Sequence, residues 1–209
     1  LNRIAEEFIL SKGAKPSFKG YMGYPAATCI SVNEIVIHGI PGSCKLKEGD
    51  IVGIDIGVYY KGYHTDAART FTVGKVKALA KKLVQCAEKA FFEAIRVALP
   101  GRRLGEISYT IQRIVEAEGF SVVKQFTGHG IGKSLHEDPP IPNFGSPKTG
   151  IILREGMTLA LEPMVNQGEW RVKVLKDGWT VITVDKKLSA HYENTIVVRK
   201  GGAEILTLE

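Results

Sequence analysis

The stretch IVGIDIGVYYKGYHTDAARTF, residues 51–71, reads as two apolar strands around a turn, and each strand carries one aspartate. Burying an unpaired carboxylate among Ile, Val and Gly costs several kcal/mol or shifts its pKa. In the first strand Val52, Ile54, Ile56 and Val58 alternate onto one face, and Gly53, Asp55 and Gly57 onto the other. Lys61-Gly62 has the composition of a two-residue hairpin turn. That turn pairs Tyr60 with Tyr63 and sets Gly57 opposite Asp66. Asp55 and Asp66 then share a face as diagonal neighbours, about 7–8 Å apart at the backbone. A slip of one residue would throw them to opposite faces. Two solvated acids on an exposed sheet face remain the plain alternative, and these residues alone leave both readings open.

The wider sequence bounds what such a pair can serve. A chain of 209 residues is long enough for one sizeable domain or two small ones. Its 44% hydrophobic and 24% charged content is that of an ordinary globular protein. Neither an apolar run long enough to span a membrane nor a signal peptide is visible. The chain begins at Leu1, so a true N-terminus is expected upstream. Cys29, Cys44 and Cys86 are odd in number and widely spaced, which fits free thiols in a reducing cytosol better than a disulfide framework. The net charge of +6 suits a polyanionic partner or plain solubility, and no specific nucleic-acid-binding signature accompanies it.

Helices and strands are grouped along the chain. A short amphipathic helix is predicted over Leu1–Lys12, with Leu1, Ile4, Ala5, Phe8 and Ile9 on one side. Strands follow from about Cys29 to Phe71. Leu79, Leu83, Ala87, Ala90, Phe91, Ala94 and Ala98 recur at helical spacing, predicting a long helix over Val76–Leu99. A second is predicted over Leu104–Glu118, with Ile107, Ile111, Ile114 and Val115 inward and Gly119 as its cap. Further strands are expected near Ser121–Phe126, Met157–Val165, Thr180–Val184 and His191–Arg199. This grouping predicts an α+β fold with a mostly antiparallel sheet, in one domain over residues 1–209. The order of elements hints at two similar halves, the first short of one helix.

Two further acids interrupt apolar strands, Glu162 in MTLALEPMV and Glu193 in SAHYENTIVV. Four strand-embedded acids call for a common cause. Basic side chains could pair with them, but only Arg69 sits centrally in these strands. Divalent metal could neutralise them instead, and two ions balance four carboxylates in formal charge. His38, His129 and His136 lie in the settings VIHGIPG, TGHGIG and SLHEDPP. Glycines beside His129 would let a ligand approach the backbone, although a lone histidine in a glycine-rich loop is more often only a hydrogen-bonding residue. His64 and His191 read as groups behind the ligands or on the surface. An oxygen-rich set with one imidazole favours Mn, Fe or Co, as well as Zn in an open site. HExxH and GxSxG motifs are both absent.

GYPAATCISVNEIVIHGIP, the 51–71 hairpin, GHGIGKSLHEDP, LALEPMV and AHYENTIVV together closely resemble the type I methionine aminopeptidases, in family order from about Phe18 to Val198. The resemblance implies a pita-bread fold, with two related halves, a curved antiparallel sheet and outer helices. It implies two divalent ions (Co, Mn, Fe or Zn), with Asp55 chelating one, Asp66 and Glu193 bridging both, and His129 and Glu162 completing the second. It further implies that Glu162 acts as general base, that His136 stabilises the oxyanion and that His38 contacts the scissile amide. Tyr21, Tyr24, Cys29 and Trp179 would line the methionine pocket. The expected substrates are peptides and nascent proteins with N-terminal methionine, in the cytoplasm, with the ribosome surface as a candidate partner. Only 25 residues separate His136 from Glu162, which leaves no room for the insertion of type II relatives.

The sequence departs from familiar members at several places. Phe18 stands where many bacterial relatives have a small thiol, and Leu135 replaces a common aromatic, so both are expected to reshape the substrate pocket. His191 stands where Gln is frequent. The family's first long helix, which would precede Leu1, is expected to be missing, with self-association or a neighbouring segment covering its place. A proline-specific peptidase of the same fold is the competing enzyme, and a binding protein without activity the competing non-enzyme.

Overall fold

The structure, a computed structural model, describes residues 1–208. The 51–71 hairpin forms as its turn chemistry dictates. Strands Ile51–Tyr60 and Tyr63–Thr72 pair antiparallel, with Tyr60 opposite Tyr63, Gly57 opposite Asp66 and Asp55 opposite Ala68. Lys61 and Gly62 both take left-handed conformations, φ 48° and 92°, as a type I′ turn requires.

This hairpin sits inside a nine-stranded sheet. On one side the hairpin pairs with Lys15–Pro16 and Cys29–Val32. On the other it pairs with Glu193–Val197, followed by Thr158–Leu161, Thr127–Gly130 and Glu137–Pro142. Every named pairing is antiparallel, as the grouping of elements predicts. Two smaller sheets flank it. One joins Ser121–Val122, Met164–Asn166 and Ser189–His191, and the other joins Ile35–Ile37, Val172–Val174 and Val181–Thr183.

Helices α1 (Asn2–Ser11), α2 (Ala78–Ile95) and α3 (Leu104–Ala117) supply the rest. Leu83, Ala87, Ala90, Phe91 and Ala94 of α2 and Ile107, Ile111 and Val115 of α3 are buried against Leu159, Leu161, Ile196 and Val198. Gly119 follows α3 with φ 83°. Leu79 is a correction: it lies on the outer side of the first turn of α2 and is exposed. So is the apolar side of α1, where Leu1, Ile4 and Phe8 are 59%, 66% and 62% exposed and only Ile9 is buried. The helix is instead tethered by Asn2, whose Oδ1 accepts hydrogen bonds from the Ala27 and Thr28 amides and the Thr28 hydroxyl.

The second half is cut more finely than its apolar pattern predicts. Pro163 lacks an amide hydrogen, and the expected strand Met157–Val165 is broken there into Thr158–Leu161 and Met164–Asn166. The stretch expected as His191–Arg199 changes sheets at Tyr192. Ser121–Phe126 is strand only at Ser121–Val122. His129 lies not in a loop but in the strand Thr127–Gly130, beside Glu137–Pro142. Its glycines serve that packing. A Cβ at Gly130 would overlap the Asp138 carbonyl oxygen, and one at Gly128 the carbonyl oxygen of Ala160.

Phe91 is wholly buried, with its ring centroid 5.3 Å from that of Tyr192, the residue between His191 and Glu193. Phe91→Ala is expected to cost about 3–5 kcal/mol, read from denaturant unfolding. A cost under about 1 kcal/mol would show that α2 does not hold this part of the sheet.

Candidate metal centre

Asp55 and Asp66 project from neighbouring strands of the hairpin into one cavity of about 190 Å³. Glu193, opposite Ala68, brings the third acid from the next strand. Glu162, at the break after Thr158–Leu161, brings the fourth. His129 enters from Thr127–Gly130, which pairs with Thr158–Leu161 so that His129 faces Ala160. All of the sequence-predicted site residues line this one cavity. Phe18, Tyr21, Tyr24, Cys29, His38, Leu135, His136 and Trp179 also line it, with Cys29 opposite Asp55 in the sheet and the His136 ring 4.2 Å from that of His129.

The acids have no cationic partner in the described chain. Arg69, the one central basic residue, directs Nη1 to the carbonyls of Ala68 and Glu193 and Nη2 to Asn194 Oδ1 at 2.7 Å. Its guanidinium lies 4.1 Å above the Tyr192 ring. It braces the backbone behind the acids and leaves the carboxylates themselves unpaired. Asp55 Oδ1, Asp66 Oδ1, Glu193 Oε1 and His191 Nε2 are buried without any hydrogen-bond partner. Buried polar atoms are ordinarily satisfied.

Burial raises the pKa of all four acids. For Asp55 it reaches about 7, against the helpful hydrogen bond from Asp66. Burial and then the Asp55 charge push Asp66 and Glu162 well above the carboxylate range, and burial and then Asp66 do so for Glu193. Burial, followed by His136, depresses His38 and His129 to about 4. Both imidazoles are therefore neutral at pH 7. His129 Nδ1 lies 2.8 Å from the Gly130 carbonyl, which leaves Nε2 aimed at Glu162 Oε1, 3.8 Å away.

Donor atoms of Asp66, His129 and Glu193 lie within 4.8 Å of one another, as do those of Asp55, His191 and Glu193. Glu193 belongs to both groups. Orphaned carboxylate oxygens and free imidazole nitrogens at this spacing fit a pair of divalent cations.

The chain matches the model of metallopeptidase family M24 over residues 1–200. It belongs to that family. It is 60% identical to a methionine aminopeptidase of Clostridium perfringens over 100% of this chain and 84% of the relative. With methionine aminopeptidase 1 of Bacillus subtilis the identity is 52%, over 99% and 84%. The solved methionine aminopeptidase of Thermotoga maritima superposes with a TM-score of 0.98 at 51% identity, covering 100% of this chain and 84% of that one. This metallopeptidase therefore has the α+β pita-bread fold.

The cavity also contains residues the sequence reading left out. His191, read as behind the ligands or on the surface, is buried among the acids, 3.7 Å from Glu162 Oε2 and from Glu193 Oε2. Burial first, then His38 and Arg69, holds its pKa down near 3. Its position two residues before Glu193 was a usable signal, because side chains two apart can share a face. Met22 and Ile37 also line the cavity, and nothing in their sequence setting marks them. His64 stays outside it, with Nδ1 2.8 Å from Ser17 Oγ.

The raised carboxyls make a pH prediction. Without metal the folded chain keeps protons that the unfolded chain has already lost, so stability falls as pH rises. Below about pH 6.5 the depressed histidines act in the opposite sense, because the unfolded chain protonates them. The histidine effect fades as the unfolded chain's imidazoles lose their protons, and the carboxyl trend outweighs it above about pH 7. Chelator-treated protein is expected to melt at progressively lower temperature from about pH 7 to 8. Excess Mn²⁺ should remove the fall, since ligation needs ionised carboxylates. A metal-free melting temperature that is flat or rising across that window would show the acids compensated within the chain.

Proposed function

We propose that this metallopeptidase removes the N-terminal methionine from peptides and nascent proteins, and that residues 1–209 act as one catalytic domain. The observation that carries the reading is the union in one cavity of four acids without cationic partners and an apolar, aromatic wall. Asp55, Asp66, His129, Glu162 and Glu193 would hold two divalent ions. Such a pair polarises the scissile carbonyl and makes water nucleophilic near neutral pH.

The remaining work falls to the chain. Phe18, Tyr24, Cys29 and Leu135 are buried together, and Trp179 packs on Tyr24 at 5.1 Å between ring centroids. These soft and aromatic walls suit a polarisable thioether. The Tyr24 hydroxyl donates to the carbonyls of Thr28 and Gly39, which fixes its ring as a wall. Phe18 and Leu135 set the size of the pocket. This apolar wall beside the acids would take the side chain of the first residue of the substrate and leave its amide at the metal centre.

Glu162 takes the proton of the attacking water on a carboxylate oxygen and returns it to the leaving amine. Tyr21 Oη lies 2.8 Å from His136 Nδ1. A hydroxyl donating there keeps the ring proton on Nε2, where it can be given to the developing oxyanion. His38, held in a left-handed conformation at φ 57°, contacts the scissile amide as a neutral imidazole. Action on nascent chains places the protein in the cytoplasm, where its charge of +6 suits the polyanionic ribosome surface. No helix of the described residues is long and apolar enough to cross a membrane.

A Met-Gly-Gly peptide is expected to release methionine, and an Xaa-Pro dipeptide to remain intact. The reverse would assign the chain to the prolidases, one of which, from Pyrococcus horikoshii, superposes with a TM-score of 0.78 at 26% identity, covering 99% of this chain and 52% of that one. His136→Ala should lose about 10²–10³ in turnover with metal content retained. Loss of metal would make His136 a ligand instead. Tyr21→Phe removes only the hydrogen bond to Nδ1, and a fall of about two- to tenfold in turnover is expected. An unchanged rate would show that Tyr21 does not orient His136.

A further inference from the structure

His191 is the one imidazole in the cavity for which the proposed reaction gives no role. It is 4% exposed, and its Nε2 is closed to water and without a hydrogen-bond partner. That nitrogen lies 3.7 Å from Glu162 Oε2 and 3.7 Å from Glu193 Oε2. Both distances exceed a hydrogen bond of about 2.7–3.2 Å. They lie just above the separation of donors around a common cation, since ligands at about 2.0–2.2 Å from one ion stand about 3–3.6 Å apart, and of the two carboxylates it is Glu193 whose donor atom groups with those of His191 and Asp55. His129 relates to Glu162 in the same way, at 3.8 Å.

The backbone of His191 is built to hold this position. Thr70 Oγ1 accepts a hydrogen bond from the His191 amide at 2.9 Å and donates to the His191 carbonyl at 2.8 Å. Thr70 lies on the hairpin strand that also carries Asp66. The imidazole is thus fixed against the element that supplies both aspartates. The chain then crosses to the large sheet at Tyr192 and presents Glu193 to the same cavity.

We propose that His191 is a sixth ligand, coordinating through Nε2 the ion held by Asp55 and Glu193, so that each of the two ions carries an imidazole. The donor atoms of Asp55, His191 and Glu193 form one compact group, and those of Asp66, His129 and Glu193 the other. The proposal rests on the dinuclear reading given above and adds to it a nitrogen donor where the resemblance implies only oxygen. An added nitrogen favours Fe, Co and Zn over Mn at that position.

Proton NMR of the cobalt(II)-loaded protein tests this without recourse to activity. A cobalt-bound imidazole gives a strongly shifted, solvent-exchangeable ring N–H resonance. Two such resonances are expected in the unmodified protein. His129→Gln should remove one and His191→Gln the other. The count in the unmodified protein decides the matter even where a variant fails to fold. A single resonance, lost in His129→Gln and kept in His191→Gln, would overturn the sixth ligand and leave the dinuclear reading standing. Failure to bind cobalt by equilibrium dialysis would overturn both.

Discussion

Four carboxylates turned into one cavity, with no basic side chain to meet their charge, set the terms for everything around them. Like charges at close range resist joint ionisation, and burial penalises each one further. The chain keeps its single central cation, Arg69, occupied with carbonyls and Asn194 behind the site. The site is therefore completed by bound cations and not by the protein itself. A salt-bridged cluster would already be neutral without metal and would have no such demand for cations.

The antiparallel sheet is the means of bringing those acids together. Hairpin pairing fixes Asp55 and Asp66 relative to each other by a local turn, at small entropic cost. Glu193 and Glu162 come from far along the chain and are placed by register with the hairpin and with one another. The small sheets and α2 support the two points where strands break, at Pro163 and Tyr192. Both breaks lie next to site residues, Glu162 at the first and His191 and Glu193 at the second.

The pocket beside the acids is assembled differently. Phe18, Tyr21 and Tyr24 come from an irregular stretch, Leu135 and His136 from the chain between two strands, and Trp179 from the turn before Val181–Thr183. Their aromatic edges interlock, Phe18 with Tyr24 and Tyr24 with Trp179. Such a wall is shaped by packing across several segments, and no local pattern in any one of them announces it. Resemblance to the family located these residues. Periodicity did not.

The sequence by itself determined the hairpin, its register and the shared face of the two aspartates, because turn chemistry and two-residue alternation are local. It also determined the inward faces of α2 and α3, apart from Leu79 on the outer side of the first turn of α2. Only the tertiary structure decided that His129 belongs to a strand, that its glycines make room for neighbouring carbonyl oxygens, and that the apolar side of α1 stays exposed. It alone brought His191 into the cavity. The physical reason is common to these cases. Each depends on which distant backbone lies alongside, and a strand acquires that neighbour only when the sheet closes around it.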